Sequence, residues 1–272
     1  MQWNSKTILT AILVIIAIIG VLCIVGMYLQ YEKMQSESFS SRYSYSATLT
    51  LDKTLDNVTL MLPLPSFHES SQIGDAIVAG EAYGIPDDWD CSLVEVDGGV
   101  MLKIEAEQII PDYQNHIAPI PIEPGEELPP TPVIIYSTEY SEETPDLIPI
   151  RFGVSIFDMK EIDTKNPLGN EPIISSKQNL TQAENPSSTP GPSSGEGTAS
   201  FYHFESPIYA AYDTDPDTTV SIEIGHRGEN SWWVLGWSGN RYTESFGITL
   251  TGPDPGWQYG SGSLSTGEGR YR

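Results

Sequence analysis

An uncharged run near the N-terminus, from Thr7 to Leu29, limits what this chain can fold into more than any other feature. As a helix it would be about 34 Å long, enough to cross the roughly 30 Å hydrocarbon core of a bilayer. A cleaved signal peptide would have a shorter apolar segment and a small-residue cleavage site, whereas "GMYLQYEKM" follows here. The run therefore predicts an uncleaved transmembrane helix that contacts membrane lipid through residues 7–29.

The charges that flank this run do not decide its orientation. Lys6 precedes it, and Lys33 and Arg42 follow it together with acidic residues, so the positive-inside rule is nearly balanced. The shortness of residues 1–6 and the Ser/Thr/Pro-rich segments further along favour a cytoplasmic tail and an exposed C-terminal region. We expect residues 30–39 to form a stalk and the rest to be extracytoplasmic, in a single-pass protein of the cell membrane.

Two sequons occur in the region that we expect to face outward. They begin at Asn57, in Asn-Val-Thr, and at Asn179, in Asn-Leu-Thr. Such triplets are the acceptors of N-glycosylation in surface loops. Asn57 and Asn179 are therefore the expected glycosylation sites.

Residues 40–170 have the pattern of a β-rich domain. "RYSYSATLTL" alternates apolar or aromatic residues with Ser and Thr, which indicates a half-buried strand. Asp97-Gly98-Gly99 separates two further alternating runs and is typical of a hairpin turn. Five or six short strands at this spacing predict an antiparallel, sandwich-like arrangement. The predicted fold class is therefore mainly β, preceded by one transmembrane helix.

Composition divides the rest of the chain into two parts. Residues 171–200 contain few large apolar side chains, so we expect a disordered Ser/Pro/Gly-rich linker or insert. Residues 201–272 return to alternating runs separated by "RGEN", "SGN" and "GPDPG", which predict a β-meander. A meander of this size is marginal alone, so it either forms a second domain or completes the first sheet.

The chain is strongly acidic, with a formal net charge of −24. Nucleic-acid binding requires a basic surface, so this charge argues against a nucleic-acid partner. It is compatible with a solvated exterior, a cation-rich medium or cationic partners.

One acidic stretch has a spacing that suits calcium. Asp213, Asp215 and Asp217 alternate in "YDTDPDTT", and three carboxylates so placed can converge on Ca²⁺ where the chain turns. The stretch lacks the Gly and Glu of an EF-hand, so the alternative is an acidic turn shaped by Asp and Pro. Calcium is the one cofactor that the sequence suggests.

The stretch "NSWWVLGWSGN" contains three tryptophans. As a strand it places Trp233 and Trp237 on one face and Trp232 on the other. Both faces are then largely apolar, which favours a central strand covered on both sides. If Trp232 instead lies exposed near Tyr242, the two rings form a surface that stacks on a sugar or meets a partner protein.

Catalytic motifs are missing from the sequence. It has no Gly-x-Ser-x-Gly elbow, no phosphate-binding Gly-rich loop and no His-Glu-x-x-His, and its four histidines lack short metal-ligand spacing. We therefore expect that this protein is not an enzyme, and we predict no catalytic residue. An envelope hydrolase remains the alternative, because an acidic chain supplies many carboxylates.

Several segments resemble membrane-anchored extracytoplasmic proteins of methanogenic and other archaea, a group with no assigned activity. These are the N-terminal anchor, "NVTLMLPLP", and "WSGNRYTESFGITLTGPDPGW" with the later "GSLSTGEGRY". The resemblance implies a cell-surface location and an acidic exterior, and it agrees with use of the sequons. We expect a binding or structural β domain whose partner is a cell-envelope protein or glycan, or an accessory subunit of a surface complex.

Overall fold

The computed structural model describes residues 5–96, 99–117, 132–158, 160–183, 199–253 and 255–271. Two helices and fifteen strands lie in these ranges. The helices are α1 (Ser5–Glu37) and α2 (Gln72–Val78). The strands are β1 (Ser40–Leu51), β2 (Leu55–Pro63), β3 (Pro65–Ser66), β4 (Asp90–Val96), β5 (Gly99–Ile109), β6 (Asp112–Gln114), β7 (Tyr136–Ser137), β8 (Asp146–Ile148), β9 (Ile150–Asp158), β10 (Ile173–Ile174), β11 (Gln178–Ala183), β12 (Ser200–Asp213), β13 (Thr219–Trp233), β14 (Trp237–Thr251) and β15 (Gly256–Gly269).

Ten of these strands form one curled antiparallel sheet. Its order is β4-β5-β2-β12-β15-β14-β13-β1-β9, and β11 pairs with β12 at the side. The meander completes the first β region, because β1 pairs with β13 over its whole length and β2 pairs with β12. The mainly β, antiparallel class is confirmed. Because these ten strands belong to one sheet, the expected sandwich-like arrangement remains a prediction.

Alternation places one side of the long strands inside the curl, most regularly in β1 and β13. In β1 every second residue is buried, and in β13 the even-numbered residues from Val220 to Trp232 are buried. Burying one apolar side chain of this kind stabilises the fold by about 1.5–3 kcal/mol. The largest fully buried side chains are Tyr45, Leu55, Leu60, Leu64, Ile77, Met101, Leu102, Ile104, Phe152, Ile174, Ile208 and Tyr242.

Inward-facing glycines make room for aromatic rings inside the curl. Gly228 lies opposite Tyr242 in the β13–β14 pair, and a Cβ at Gly228 would lie 2.3 Å from the Tyr242 ring. A Cβ at Gly262 would lie equally close to the ring of Phe204. Glycine in a strand interior is unfavourable by itself, so these positions mark close approach of a ring to the backbone.

Helix α2 packs against both edges of the curled sheet, contacting β9 and β4. Its N-cap is Ser71, whose hydroxyl accepts the Gly74 N–H at 3.0 Å. Ile73 and Ile77, one turn apart, are buried on its inner face. The helix therefore covers apolar residues where the sheet does not pair with itself.

Helix α1 runs without a break to Glu37, so residues 30–37 of the expected stalk continue the helix. The part from Ile12 onward includes an 18-residue window with a mean hydropathy of 3.1, none of it buried within the protein. The N-terminal helix is thus long and apolar enough to cross a membrane.

The linker expected over residues 171–200 begins too early. Residues 171–183 contain β10 and β11, and Ile174 is fully buried. Sparse apolar content predicted disorder, but this segment is ordered mainly through polar contacts inside the sheet. Residues 184–198 of the expected linker lie outside the described residues.

Candidate functional site

Three aromatic side chains lie together on the outer face of β12 and β15, the half-buried Tyr209 and the exposed Trp257 and Tyr259. Tyr209 is directly opposite Trp257, their ring centroids are 5.6 Å apart, and the rings meet edge to face. Tyr259 follows two residues later on β15, so it shares the same face. Trp257 and Tyr259 are 48% and 55% exposed. We call these three residues the aromatic platform.

A polar trough continues from the platform across the outer face of the sheet. Ser261 and Ser263 extend the row of Tyr259 along β15, and His203 of β12 lies opposite Ser263. The Ser263 hydroxyl is 2.8 Å from the hydroxyl of Ser245 on β14. The residues that line the trough include Ser46, Thr48, His203, Glu223, Gly225, Ser245, Gly247, Ser261 and Ser263.

The two surfaces together suit a ligand with an apolar face and many hydroxyl groups. A Trp or Tyr ring offers a rigid apolar plane with a polar group at its edge. The small hydroxyl side chains of the trough donate and accept hydrogen bonds without blocking access to the sheet. Because both surfaces lie on long paired strands, their side chains are held in fixed register.

A second group of polar side chains lies inside the curl. Lys177 Nζ is 2.6 Å from Glu244 Oε1, and their side chains are 8% and 0% exposed. The other carboxylate oxygen accepts the Ile174 N–H at 2.8 Å. Lys177 also lies 4.6 Å from the centre of the Phe204 ring. Burial lowers the pKa of Lys177, and the Glu244 carboxylate acts against that shift.

His226 and Tyr242 extend this interior group. His226 Nδ1 is 3.0 Å from the Ser44 carbonyl oxygen, and its Nε2 is 3.1 Å from the Tyr242 hydroxyl. Tyr242 donates its hydroxyl to the Pro172 carbonyl at 2.5 Å. Burial lowers the pKa of His226 and raises the pKa of Tyr242, so both are neutral near pH 7.

The interior group holds the segment between β9 and β11 in place. Asn230, on β13, accepts the N–H of Ile162 and donates to its carbonyl, and it also donates to Asn240 at 2.8 Å. Tyr43 donates to the carboxylate of Glu171 at 2.5 Å. Buried polar side chains are tolerated when their hydrogen bonds are satisfied in this way. The geometry fits a structural role, because these side chains are directed at the segment and not at an open cavity.

The predicted stacking pair is wrong. Trp232 is 4% exposed and Tyr242 is 0% exposed, so neither ring has a face in solvent. Trp232 is in the same phase as Val220 of β13, which points into the curl, and Tyr242 packs over Gly228. The tryptophans at 233 and 237 are exposed instead, so the strand is not covered on both sides. The signal for the exposed platform was the alternation of Trp257 and Tyr259 in "WQYGSGSLS".

The three aspartates of "YDTDPDTT" have other partners. Lys53 Nζ lies 2.6 Å from Asp217 and 3.3 Å from Asp215, and Asp213 accepts from the Asn57 side chain at 2.8 Å. Hydrogen bonding from Lys53 lowers the pKa of Asp217. No group of three or more His, Cys, Asp or Glu in the described part of the chain gathers as metal ligands would. Calcium binding remains a prediction.

Both sequon asparagines lie on the surface. Asn57 and Asn179 are exposed and have positive φ angles of 53° and 51°. The Asn57 amide donates to Asp213, and the Asn179 amide donates to Glu205 at 2.6 Å. A glycosylating enzyme would have to displace these carboxylates. Use of the sequons remains a prediction.

Comparison with known protein families, with curated proteins and with solved structures gave no match. The resemblance to archaeal surface proteins therefore remains a prediction, and the functional argument depends on this chain's own geometry.

Proposed function

We propose that this protein is a single-pass, membrane-anchored cell-surface protein whose β domain binds a glycan of the cell envelope and does not catalyse a reaction. Helix α1 supports the anchor, because it is long and apolar enough to cross a bilayer. The acidic composition and the sequons agree with an extracytoplasmic location for the rest.

The observation that carries the binding proposal is the exposure of the aromatic platform beside the polar trough. Leaving Trp257 and Tyr259 in water forgoes the stabilisation that burying such large rings would give. A clustered aromatic surface of this kind is typical of an interaction site. The carbon-bound hydrogens of a sugar ring fit the faces of these rings, and its hydroxyls fit the serines of the trough.

The hydrolase alternative has less support from the geometry. It predicts two convergent carboxylates, or a nucleophile beside a base, in an open cleft. Within the described residues, Glu223 is the carboxylate that lines the trough, and the His226, Tyr242 and Glu244 group is enclosed by the segment around Pro172. A second pocket does gather carboxylates, but those of Asp52, Asp56, Asp213 and Asp215 already accept hydrogen bonds or pair with Lys53. Binding is therefore the function that we favour.

Binding to an array of defined oligosaccharides tests the ligand class, using the full chain in detergent. We expect selective binding by the wild-type chain and loss of that binding in the Trp257→Ala/Tyr259→Ala variant. Tyr136→Ala is the control, since Tyr136 is even more exposed, at 63%, but belongs to β7. Binding that survives removal of both platform rings, or that is lost equally in the control, would contradict the proposal.

Protease treatment of intact cells tests the location separately. The proposal predicts digestion of the β domain before lysis and survival of the α1 fragment in the membrane. A domain that is cut only after lysis would place it inside the cell.

A further inference from the structure

The turn between β13 and β14 carries an exposed apolar tip. Its residues are Trp233, Leu235 and Trp237, which we call the hairpin tip; Leu235 is 89% exposed and Trp237 73%. A cluster of exposed apolar side chains on a strongly acidic protein marks an interaction surface.

The hairpin tip is fixed to the end of α1. The hydroxyl of Ser38, the residue after the helix, accepts the Trp233 N–H at 2.8 Å and donates to the Trp233 carbonyl at 3.2 Å. Helix α1 packs against β13, and Met34 and Gln35 are half-buried between exposed neighbours on the helix. The tip therefore lies beside the last two turns of α1.

This position corresponds to the surface of a bilayer that α1 crosses. The uncharged run ends at Leu29, and Met34 follows five residues later, about 8 Å further along a helix. The headgroup layer on each side of the hydrocarbon core is about 5–8 Å thick. The hairpin tip would thus lie at the level of the lipid headgroups.

Folding alone does not explain the residue at the apex of the tip. Leu235 has a φ of 55°, in the left-handed region that favours Gly or Asn. A bulky residue that is both strained and exposed points to a role outside the fold.

We infer that the hairpin tip lies in the headgroup layer of the membrane that holds α1, so that this end of the sheet contacts the lipid surface. Tryptophan is enriched at this level, because its ring is apolar and its indole N–H is polar. The inference rests on the proposed membrane anchor and adds a second lipid contact. Together, α1 and the hairpin tip would fix the orientation of the sheet relative to the membrane, whereas α1 alone would leave that orientation free to change.

Quenching of tryptophan fluorescence by brominated lipid tests this contact. The full chain is placed in phosphatidylcholine vesicles with or without bromine on the upper acyl chains, and Trp3 is replaced by Phe throughout because it precedes the apolar run. Bromine should quench the tryptophan fluorescence of the Trp3→Phe chain. This quenching should be lost in Trp233→Phe/Trp237→Phe and kept in Trp257→Phe, the matched exposed control. Leu235→Asn, which suits the left-handed backbone, should fold normally and weaken the quenching.

Flotation of the same vesicles after an alkaline wash tests the membrane anchor separately from the lipid contact of the hairpin tip. A chain that floats, with bromine quenching unchanged in Trp233→Phe/Trp237→Phe, would overturn this inference and leave the anchor intact. A chain that does not float would overturn the anchor and this inference together. A third outcome is that bromine does not quench the tip tryptophans although they are shielded from water, and that the chains cross-link as pairs. This result would show that the tip contacts a second copy of the chain, and it would also overturn the inference.

Discussion

Breaking the buried ion pair between Lys177 and Glu244 should destabilise the protein strongly. Glu244→Gln keeps an oxygen that can accept the Ile174 N–H, but it leaves the Lys177 ammonium without its counter-charge at a site that is 8% exposed. Removing one member of a buried pair typically costs about 3–5 kcal/mol. Lys177→Met leaves the Glu244 carboxylate uncompensated and should cost a similar amount.

A double-mutant cycle separates this pair from ordinary loss of packing. Lys177→Met/Glu244→Gln should cost much less than the sum of the single variants, because it leaves neither buried charge. Urea unfolding of the full chain in detergent, followed by tryptophan fluorescence, measures these free energies. Glu105→Gln is the control, since its partner Lys103 lies 2.8 Å away in a more exposed pair. That change should cost about 0–1 kcal/mol.

The pH dependence of Glu244→Gln gives a second criterion. Burial lowers the pKa of Lys177, and loss of the carboxylate removes the interaction that opposed this shift. The unfolded chain then binds more protons than the folded chain at pH values between the folded pKa and about 10.5, so stability should rise with pH over that interval. Single variants that cost less than about 1 kcal/mol, or a double variant that is simply additive, would refute the reasoning.

Three further predictions concern the interior and the acidic turn. Gly228→Ala should cost about 1–3 kcal/mol by urea unfolding because its methyl group meets the Tyr242 ring, whereas Gly236→Ala, with no neighbour within 4 Å, should cost far less. Burial lowers the pKa of His226, so stability should fall as pH drops below about 7, by up to about 1.4 kcal/mol per pH unit, until the folded pKa is reached. His226→Gln should remove this part of the slope, and an unchanged slope would contradict the assignment. If the three aspartates near Lys53 bind calcium, millimolar calcium should raise the melting temperature relative to chelator, and no shift would count against the site.

The alternating strands could be predicted from sequence because burial on one face leaves a period of two. The phase of β13 was also readable, since Val220, Ile222 and Ile224 extend to Trp232 without a break. When the stretch around Trp232 is interpreted as a separate strand, alternation separates Trp232 from Trp233 and Trp237 but does not indicate which face is buried. The alternative in which Trp232 and Tyr242 form an exposed stacking surface is wrong for this reason, because both side chains lie on the buried face.

The contacts of the segment around Lys177 could not be predicted in this way. Its partner Glu244 lies on β14, far along the chain, and a single Lys in a polar segment has no local pattern that indicates burial. The aromatic platform likewise requires β12 and β15 to be neighbours, which brings Tyr209 beside Trp257. Long-range pairing, not local composition, creates both features.

Hydroxyl-radical footprinting of the full chain tests the central claim most directly, with and without the oligosaccharide that binds best on the array. The account predicts that the glycan protects Tyr209, Trp257 and Tyr259 from oxidation and leaves Tyr136 unchanged. Saturating glycan that leaves the platform fully reactive, or that protects a different surface, would contradict binding at this face of the sheet.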